Sequence, residues 1–342
     1  MESQELISII IPAYNAEPFL SNCLESIISQ TYSFFEVLIV ENGSNDETLS
    51  LANSFVLKDK RFRVFKNHEK GAAKARNFGI NNSKGDYLTF IDADDKISPC
   101  FLETLMKGVR LNNADICACS MIGSLEVPTS FYDLSKREDR KNALKFFNGA
   151  TCCKLYARSA INKIRYDSIA IGEDPLFNLK IISQNITVQY IKYSGYYYLE
   201  NNSSTTSRVD ESIMDEIFHC NFLGFEFIQN QEKLDIDLYR YWLSYSIQNI
   251  LIYNKKISKN SKLSIRKNLV IYSSFYEKSF SINFKILKLL GLIPIQSIRN
   301  ISLRILMYYN SLKIRINYPF LEILKLYKSK IISKKNEHIR VN

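Results

Sequence analysis

The sequence predicts an α/β fold with a mainly parallel sheet and helices on both faces, followed by a helical, basic carboxyl-terminal region. Three observations predict it. Short apolar runs alternate with segments of helical periodicity through the first hundred residues, which is the signature of strand–helix–strand units. The runs are apolar at nearly every position, as strands covered on both faces require. The fourth run ends abruptly in Asp92, Asp94 and Asp95, at the strand end where open α/β sheets place their ligands.

Taken in order, residues 6–11 read as a buried strand bounded by Pro12, and Phe19, Cys23, Ile27 and Ile28 then share one helical face. Residues 35–40 form a second strand, closed by the turn Asn42-Gly43-Ser44. Asp46, Glu47 and Thr48 supply caps and negative charge to a helix that runs to about Val56. A third strand spans 62–65, a helix 72–80 and a fourth strand 87–91, with a further helix starting near Ser98-Pro99. After residues 116–120 the pattern is less regular: a strand over 150–156, a helix over 175–183 and an aromatic-rich strand over 187–199. From about Asp210 the chain reads as helical, so the expected division is a domain at 1–210 and a helical basic region at 211–342.

Hydrophobic residues make up 46% of the 342 and aromatics 13%, a composition that excludes a disordered chain. No run of about 18 apolar residues suggests a membrane span. The acidic start Met1-Glu2-Ser3-Gln4-Glu5 lacks the basic opening of a signal peptide, so a cytoplasmic location is expected. Seven cysteines without C-x-x-C spacing fit reduced thiols. Three histidines, His68, His219 and His338, leave little material for a His-rich metal site or a Ser-His-Asp triad.

Charge is strongly segregated. Residues 1–250 carry 26 Lys and Arg against 32 Asp and Glu, a net of −6, while residues 251–342 carry 19 against 3, a net of +16. Such asymmetry describes a partner surface and says nothing of fold. After Pro319, Phe320, Ile323, Leu324, Tyr327 and Ile331 share one helical face and Glu322, Lys325 and Ser329 the other. A basic amphipathic helix of this kind suits an anionic membrane surface; packing of the apolar face on the first domain is the alternative. No nucleic-acid motif accompanies the charge, and no nucleic-acid partner is expected.

Oxygen donors clustered as in Asp92-Ala93-Asp94 suit Mg²⁺ or Mn²⁺, or else form a solvated acidic turn. The loops Pro12-Ala13-Tyr14-Asn15 and 41–46 leave parallel strands at that same sheet edge. Tyr14 can stack on a base and Asn42 can hydrogen-bond its edge, though Asn-Gly-Ser is also good turn chemistry. In Gly71–Gly79, Arg76 suits ribose or phosphate, while Lys74 reads better as a solvated cation. In Gly172-Glu173-Asp174-Pro175, a carboxylate before a helix is either a general base or a helix cap.

In this order, Ile9–Asn15, Glu41–Asp46, Gly71–Gly79, Asp92–Asp95, Lys154-Leu155-Tyr156 and Gly172-Glu173-Asp174 resemble the inverting family 2 glycosyltransferases that use nucleotide sugars. The resemblance covers roughly residues 6–205. It implies a GT-A fold, a Rossmann-like domain with an added acceptor-binding part. It implies that Pro12, Tyr14, Glu41, Asn42 and Arg76 surround the nucleoside. Asp92 and Ala93 lie by the ribose, Asp94 holds a metal on the diphosphate, and Asp174 deprotonates an acceptor hydroxyl. The implied reaction moves a hexose or N-acetylhexosamine from a UDP-sugar to a glycan such as lipopolysaccharide or capsule, at the inner face of a bacterial membrane. Transfer to a polyprenyl phosphate and a nucleotide-sugar-binding protein without turnover are the alternatives. Asn42 stands where many relatives carry Asp, and Cys152-Cys153 where they often carry Trp. Residues 198–203 lack the Arg frequent there, which leaves the acceptor less defined than the donor.

Overall fold

The computed structural model describes residues 5–199, apart from Leu125 and Asn148, and most of 211–249. The chain divides into two compact units, Met1–Ser207 and Arg208–Asn342.

In the first unit, β1 (Ile7–Ala13), β2 (Phe35–Glu41), β3 (Phe62–Lys66) and β4 (Tyr87–Phe90) are joined by α1 (Glu17–Ile28), α2 (Thr48–Lys58) and α3 (Ala72–Asn82). β1 pairs in parallel with both β2 and β4, and β2 with β3. Side chains alternate across the sheet. Ile7, Ile9, Ile11, Val37 and Ile39 face a core that includes Leu20, Cys23, Leu24 and Ile27 of α1 and Phe55 of α2. On the other face Ile10 meets α3 so closely that a Cβ on Gly79 would lie 2.4 Å from its Cγ2. Both faces are therefore covered, which is why β1, β2 and β4 are apolar at most positions.

Beyond β4 the sheet becomes mixed. The chain continues through β5 (Lys96–Ile97), α4 (Phe101–Asn112), β6 (Ile116–Met121), β7 (Ser130–Asp133), α5 (Arg137–Ala143), β8 (Lys154–Ala157), α6 (Arg158–Ile161), α7 (Glu173–Ile182) and β9 (Thr187–Tyr197). Strand order is β3-β2-β1-β4-β8-β6-β9-β5, with β7 beside β9. β8 runs antiparallel to both β4 and β6, whereas β6 and β9 are parallel. Parallel pairing is thus concentrated where the strand–helix alternation is regular. An apolar run shows that a strand is buried, not which way it points.

The helix expected from Pro175 begins two residues earlier, at Glu173, behind a Gly172 with φ +87°. Pro175 still lies in the first turn, where its missing N–H has no intrahelical partner to lose. Glu173 and Asp174 are consequently the first two residues of α7, at the positive end of its dipole. In the second unit, α8 spans Glu211–Gln229. Trp242 is buried there and its Nε1 donates to the Asn221 carbonyl at 2.9 Å. The basic segment at 251–342 lies outside the described residues.

Gly85 precedes β4 and donates its N–H to Ser8 Oγ at 2.8 Å. A Cβ there would stand 2.6 Å from Ser8 N and 2.7 Å from Leu6 O, both of the backbone of the neighbouring strand region. Backbone cannot swing aside, so Gly85→Ala should destabilise the first unit by about 1–3 kcal/mol. Thermal unfolding of the variant should show a melting temperature several degrees lower; an unchanged value would contradict the packing described.

Candidate active site at the carboxyl ends of β1, β2 and β4

The parallel register brings three strand ends together. Ala13 is level with Glu41, and Ile10 with Phe90. A further ladder bond, Ile91 N to Ile10 O at 3.1 Å, carries that register on. Asp92, Ala93 and Asp94 therefore leave the sheet beside the Pro12–Asn15 and Glu41–Asp46 loops.

Those two loops are stitched to each other. Asn15, with φ +46°, accepts at Oδ1 from Asn45 N (2.9 Å) and donates its own N–H to Ser44 Oγ (3.0 Å). Ala16 N donates to Thr48 Oγ1 at 2.8 Å and Glu17 N to Asp46 Oδ2 at 3.1 Å. Asp46 thus serves the amino ends of α1 and α2 together. Glu41 is buried, with Oε1 accepting from Ser44 N. Asn42 is buried as well; its N–H bonds Ala13 O (2.9 Å) and its Oδ1 accepts from Asn67 at 3.4 Å. Pro12 is half-buried, while Tyr14 is 50% exposed and so presents its ring.

Arg76, on the second turn of α3, is only 5% exposed. Its guanidinium meets Asp92 Oδ1 at 2.8 Å, Glu173 Oε1 at 3.0 Å and Asp174 Oδ1 at 3.2 Å. The other Asp174 oxygen accepts from Thr151 N at 3.0 Å. Asp174 Oδ1 has the ionic contact but no aligned hydrogen bond, so lone-pair capacity remains on that carboxylate. Burial, reinforced by the neighbouring Asp174, pushes the Glu173 carboxyl up to about 7.

An aromatic cluster holds these groups at this place. Phe90 of β4 meets Tyr156, Tyr166 and Phe177 edge-on at 5.9, 5.5 and 5.9 Å, and Phe177 lies flat on Tyr166 at 3.9 Å. Phe177 stands three residues after Asp174, hence on the same face of α7. Packing that face on β4 delivers Asp174 to Arg76. Lys154 of β8 is buried behind, its ammonium bonded to Ala150 O, and burial lowers its pKa. Cys152 and Cys153 are buried too.

Asp95 is buried and accepts from Tyr196 OH (2.7 Å) and Leu199 N (2.9 Å), while Asp92 N donates to the same Tyr196 oxygen at 3.2 Å. It therefore fastens the end of β9 to the acidic loop. Burial, with Asp92 and Asp94 nearby, raises its carboxyl to about 7. Asp92 keeps 35% of its side chain exposed and Asp94 is half-buried. Among the described residues no three His, Cys, Asp or Glu side chains form a metal cage. A Mg²⁺ or Mn²⁺ shared with phosphates needs only one or two carboxylates, and the oxygen donors of Asp92 and Asp94 fit that requirement.

The structure thus brings Arg76, Asp92 and Asp174 into direct contact, with Pro12, Tyr14, Glu41, Asn42, Ala93 and Asp94 around the same strand ends. Sequence reasoning gave no role to Glu173, Thr151 or Asp95. Glu173 and Asp95 adjoin residues already singled out, so their position was visible. Thr151 acts through its backbone N–H, for which no sequence signal exists.

Residues 8–165 match the family described as Glycosyl transferase family 2. The glycosyltransferase GlyA of Streptococcus pneumoniae is 31% identical over 212 residues, 56% of this chain and 30% of GlyA; the chain thus spans under a third of that relative. An uncharacterized Bacillus subtilis glycosyltransferase, EpsJ, is 28% identical over 287 residues, 77% of this chain and 82% of EpsJ. S. aureus TarS, residues 1–349 in complex with UDP, superposes with TM-score 0.57 at 19% identity, covering 76% of this chain and 78% of that one. Residues 8–165 of this chain are thus similar to family 2 glycosyltransferases, and the fold is that of GT-A glycosyltransferases.

Because the Asp95 carboxyl titrates higher in the folded chain than in the unfolded one, its contribution to stability is fully present below about pH 4 and is lost as pH rises through about 7. Asp95→Asn mimics the neutral form. In metal-free buffer the variant should therefore gain on wild type in melting temperature between pH 5 and 8; a difference independent of pH would contradict the raised carboxyl.

Proposed function

We propose that this chain is a family 2 glycosyltransferase that moves a hexose or N-acetylhexosamine from a UDP-sugar to a hydroxyl of a bacterial surface glycan such as lipopolysaccharide or capsule. The observation that carries the reading is the Arg76 bridge, which holds Asp92 of the acidic strand end and Asp174 of α7 within reach of one guanidinium. Donor-side and base-side carboxylates then share one site.

Tyr14 offers an exposed ring for the uracil face, and Pro12, Glu41 and Asn42 border the same place. Asp92 and Ala93 would lie along the ribose, and Asp94 would hold the Mn²⁺ or Mg²⁺ that serves the diphosphate. When bound, that cation offsets the negative charge that builds on the departing diphosphate. Asp174 takes the proton from the acceptor hydroxyl as its oxygen attacks the anomeric carbon. A single displacement, in which that oxygen bonds the anomeric carbon as the diphosphate leaves from its opposite face, inverts the configuration. Asp174 sits in the first turn of α7 beside Arg76.

The basic segment at 251–342, net +16, supports peripheral contact with the anionic cytoplasmic membrane surface, where each cation contributes about 1 kcal/mol. Among the described residues no helix is long and apolar enough to cross a membrane. A glycolipid or nascent surface glycan is the acceptor that such an anchor serves.

Thermal-shift screening against UDP-, GDP-, dTDP- and CMP-sugars, each with and without Mn²⁺, tests the donor. A metal-dependent rise with one UDP-sugar, abolished by Asp94→Ala, is expected because ligands that bind only the folded state raise its melting temperature. No response to any nucleotide sugar would overturn the reading. Asp174→Asn should lower transfer by about 10²–10⁴-fold, the usual contribution of a general base. Full activity in that variant would point instead to a phosphate acceptor. Sedimentation with anionic liposomes at physiological salt should retain the full chain in the pellet, and protein left wholly in solution would remove the membrane contact.

A further inference from the structure

Arg76 suits ribose or phosphate by chemistry, yet its surroundings assign its two terminal nitrogens elsewhere. One terminal nitrogen is committed to Asp92 (2.8 Å), the other to Glu173 (3.0 Å) and Asp174 (3.2 Å), and the residue is almost completely buried. The guanidinium carbon lies 5.4 Å from the centre of the Tyr166 ring, which is itself stacked on Phe177 of α7. We infer that Arg76 is a positioning residue, which acts through Asp174 and holds the base in register with the donor-side Asp92 without touching the donor. This inference rests on the transfer reaction proposed above.

Direction matters here as much as charge. A guanidinium is a rigid planar fork whose nitrogens point at two partners in fixed relative positions, whereas an ammonium is a point charge on a flexible stem. Asp92 belongs to the loop that leaves β4, and Asp174 lies 82 positions further along, in the first turn of α7. The aligned hydrogen bonds of the fork go to Asp92 and to Glu173, the helical neighbour of Asp174, while Asp174 lies in ionic contact at 3.2 Å. The guanidinium thus ties the β4 loop to the first turn of α7. From the other side the Thr151 N–H holds Asp174 Oδ2 at 3.0 Å. With Oδ2 hydrogen-bonded to Thr151 and Oδ1 in ionic contact with the guanidinium at 3.2 Å, both carboxylate oxygens have a neighbour that fixes their place. A base fixed in this way meets the attacking hydroxyl in one orientation, and misplacement by about 1 Å can cost 10²-fold in rate.

Glu173 completes the arrangement. It accepts at 3.0 Å from the guanidinium nitrogen that Asp174 also approaches. It thus supports the fork without itself reaching Asp92 or the acidic strand end.

The decisive comparison is Arg76→Lys, which keeps the charge and removes the fork. Two quantities are read for wild type and variant: donor Kd by calorimetry, and kcat as UDP release from the UDP-sugar that responds in the thermal-shift screen. The expected result is a kcat lower by about 100-fold with donor Kd changed by less than about threefold. The Arg76→Lys/Asp174→Asn pair should be no slower than Asp174→Asn alone, because a residue acting through another loses its effect when that other is gone. A donor Kd weakened tenfold or more at unchanged kcat, or fully additive losses in the double variant, would overturn the positioning role. Should Arg76→Lys fail to fold, Glu173→Gln keeps the hydrogen-bond acceptor and removes one charge beside the fork. It should lower kcat by about tenfold at constant donor Kd and be non-additive with Asp174→Asn; unchanged kcat there would likewise overturn the inference. Wild-type chain that neither binds nor turns over any UDP-sugar would overturn the proposed function itself, a result distinct from a variant defective only in donor affinity.

Discussion

Arg76 is a cation taken almost completely out of water, and a buried charge persists only where partners replace its hydration. Three carboxylates from two distant segments do so here. Each of them is in turn held where it is by something else: Asp92 by the register of β4 against β1, Glu173 and Asp174 by the packing of α7 on the Phe90 cluster. The ionic bridge therefore depends on the sheet and the aromatic core, while the site depends on the bridge. Loss of one carboxylate would leave the guanidinium short of a partner in a low-dielectric setting, and loss of the guanidinium would leave carboxylates facing one another.

That electrostatic tension has a visible consequence. Asp92, Asp94, Asp95, Glu173 and Asp174 crowd one end of the sheet, with Arg76 and the buried Lys154 as the cations near them. Asp95 and Glu173, the carboxyls that burial and like charge press hardest, are both pushed up to about 7. A site with such an excess of carboxylate oxygen is suited to a ligand that brings a divalent cation with it.

The stitched loops between β1 and α1 and between β2 and α2 illustrate a different economy. Asp46, Asn15, Ser44 and Thr48 satisfy backbone donors of two helix starts at once, and so the strand ends are rigid where a nucleoside is proposed to rest. Tyr14 projects from this frame with half its surface in solvent. A stiff backbone presenting one exposed ring is pre-organised for stacking, which limits the ordering cost of binding.

Much of this was legible in the sequence. The first four strands and three helices follow from apolar periodicity, because local patterns of burial are written in consecutive residues. The acidic strand end, the two loops, Arg76 and Asp174 were likewise found by residue type and position. β5, β7, α5 and α6 span only two to seven residues, too few for a period to declare itself. The antiparallel run of β8 could not be read either, since an apolar strand is buried in either direction. What only the tertiary structure decided is the joining of Arg76 to Asp92, Glu173 and Asp174. Those partners lie 16, 97 and 98 positions away, and they meet because Phe177 packs on Phe90, a contact between faces that no local pattern encodes. The sequence by itself determined which residue types stand at the strand ends and loops; folding decided which of them touch, because contact depends on how whole elements pack.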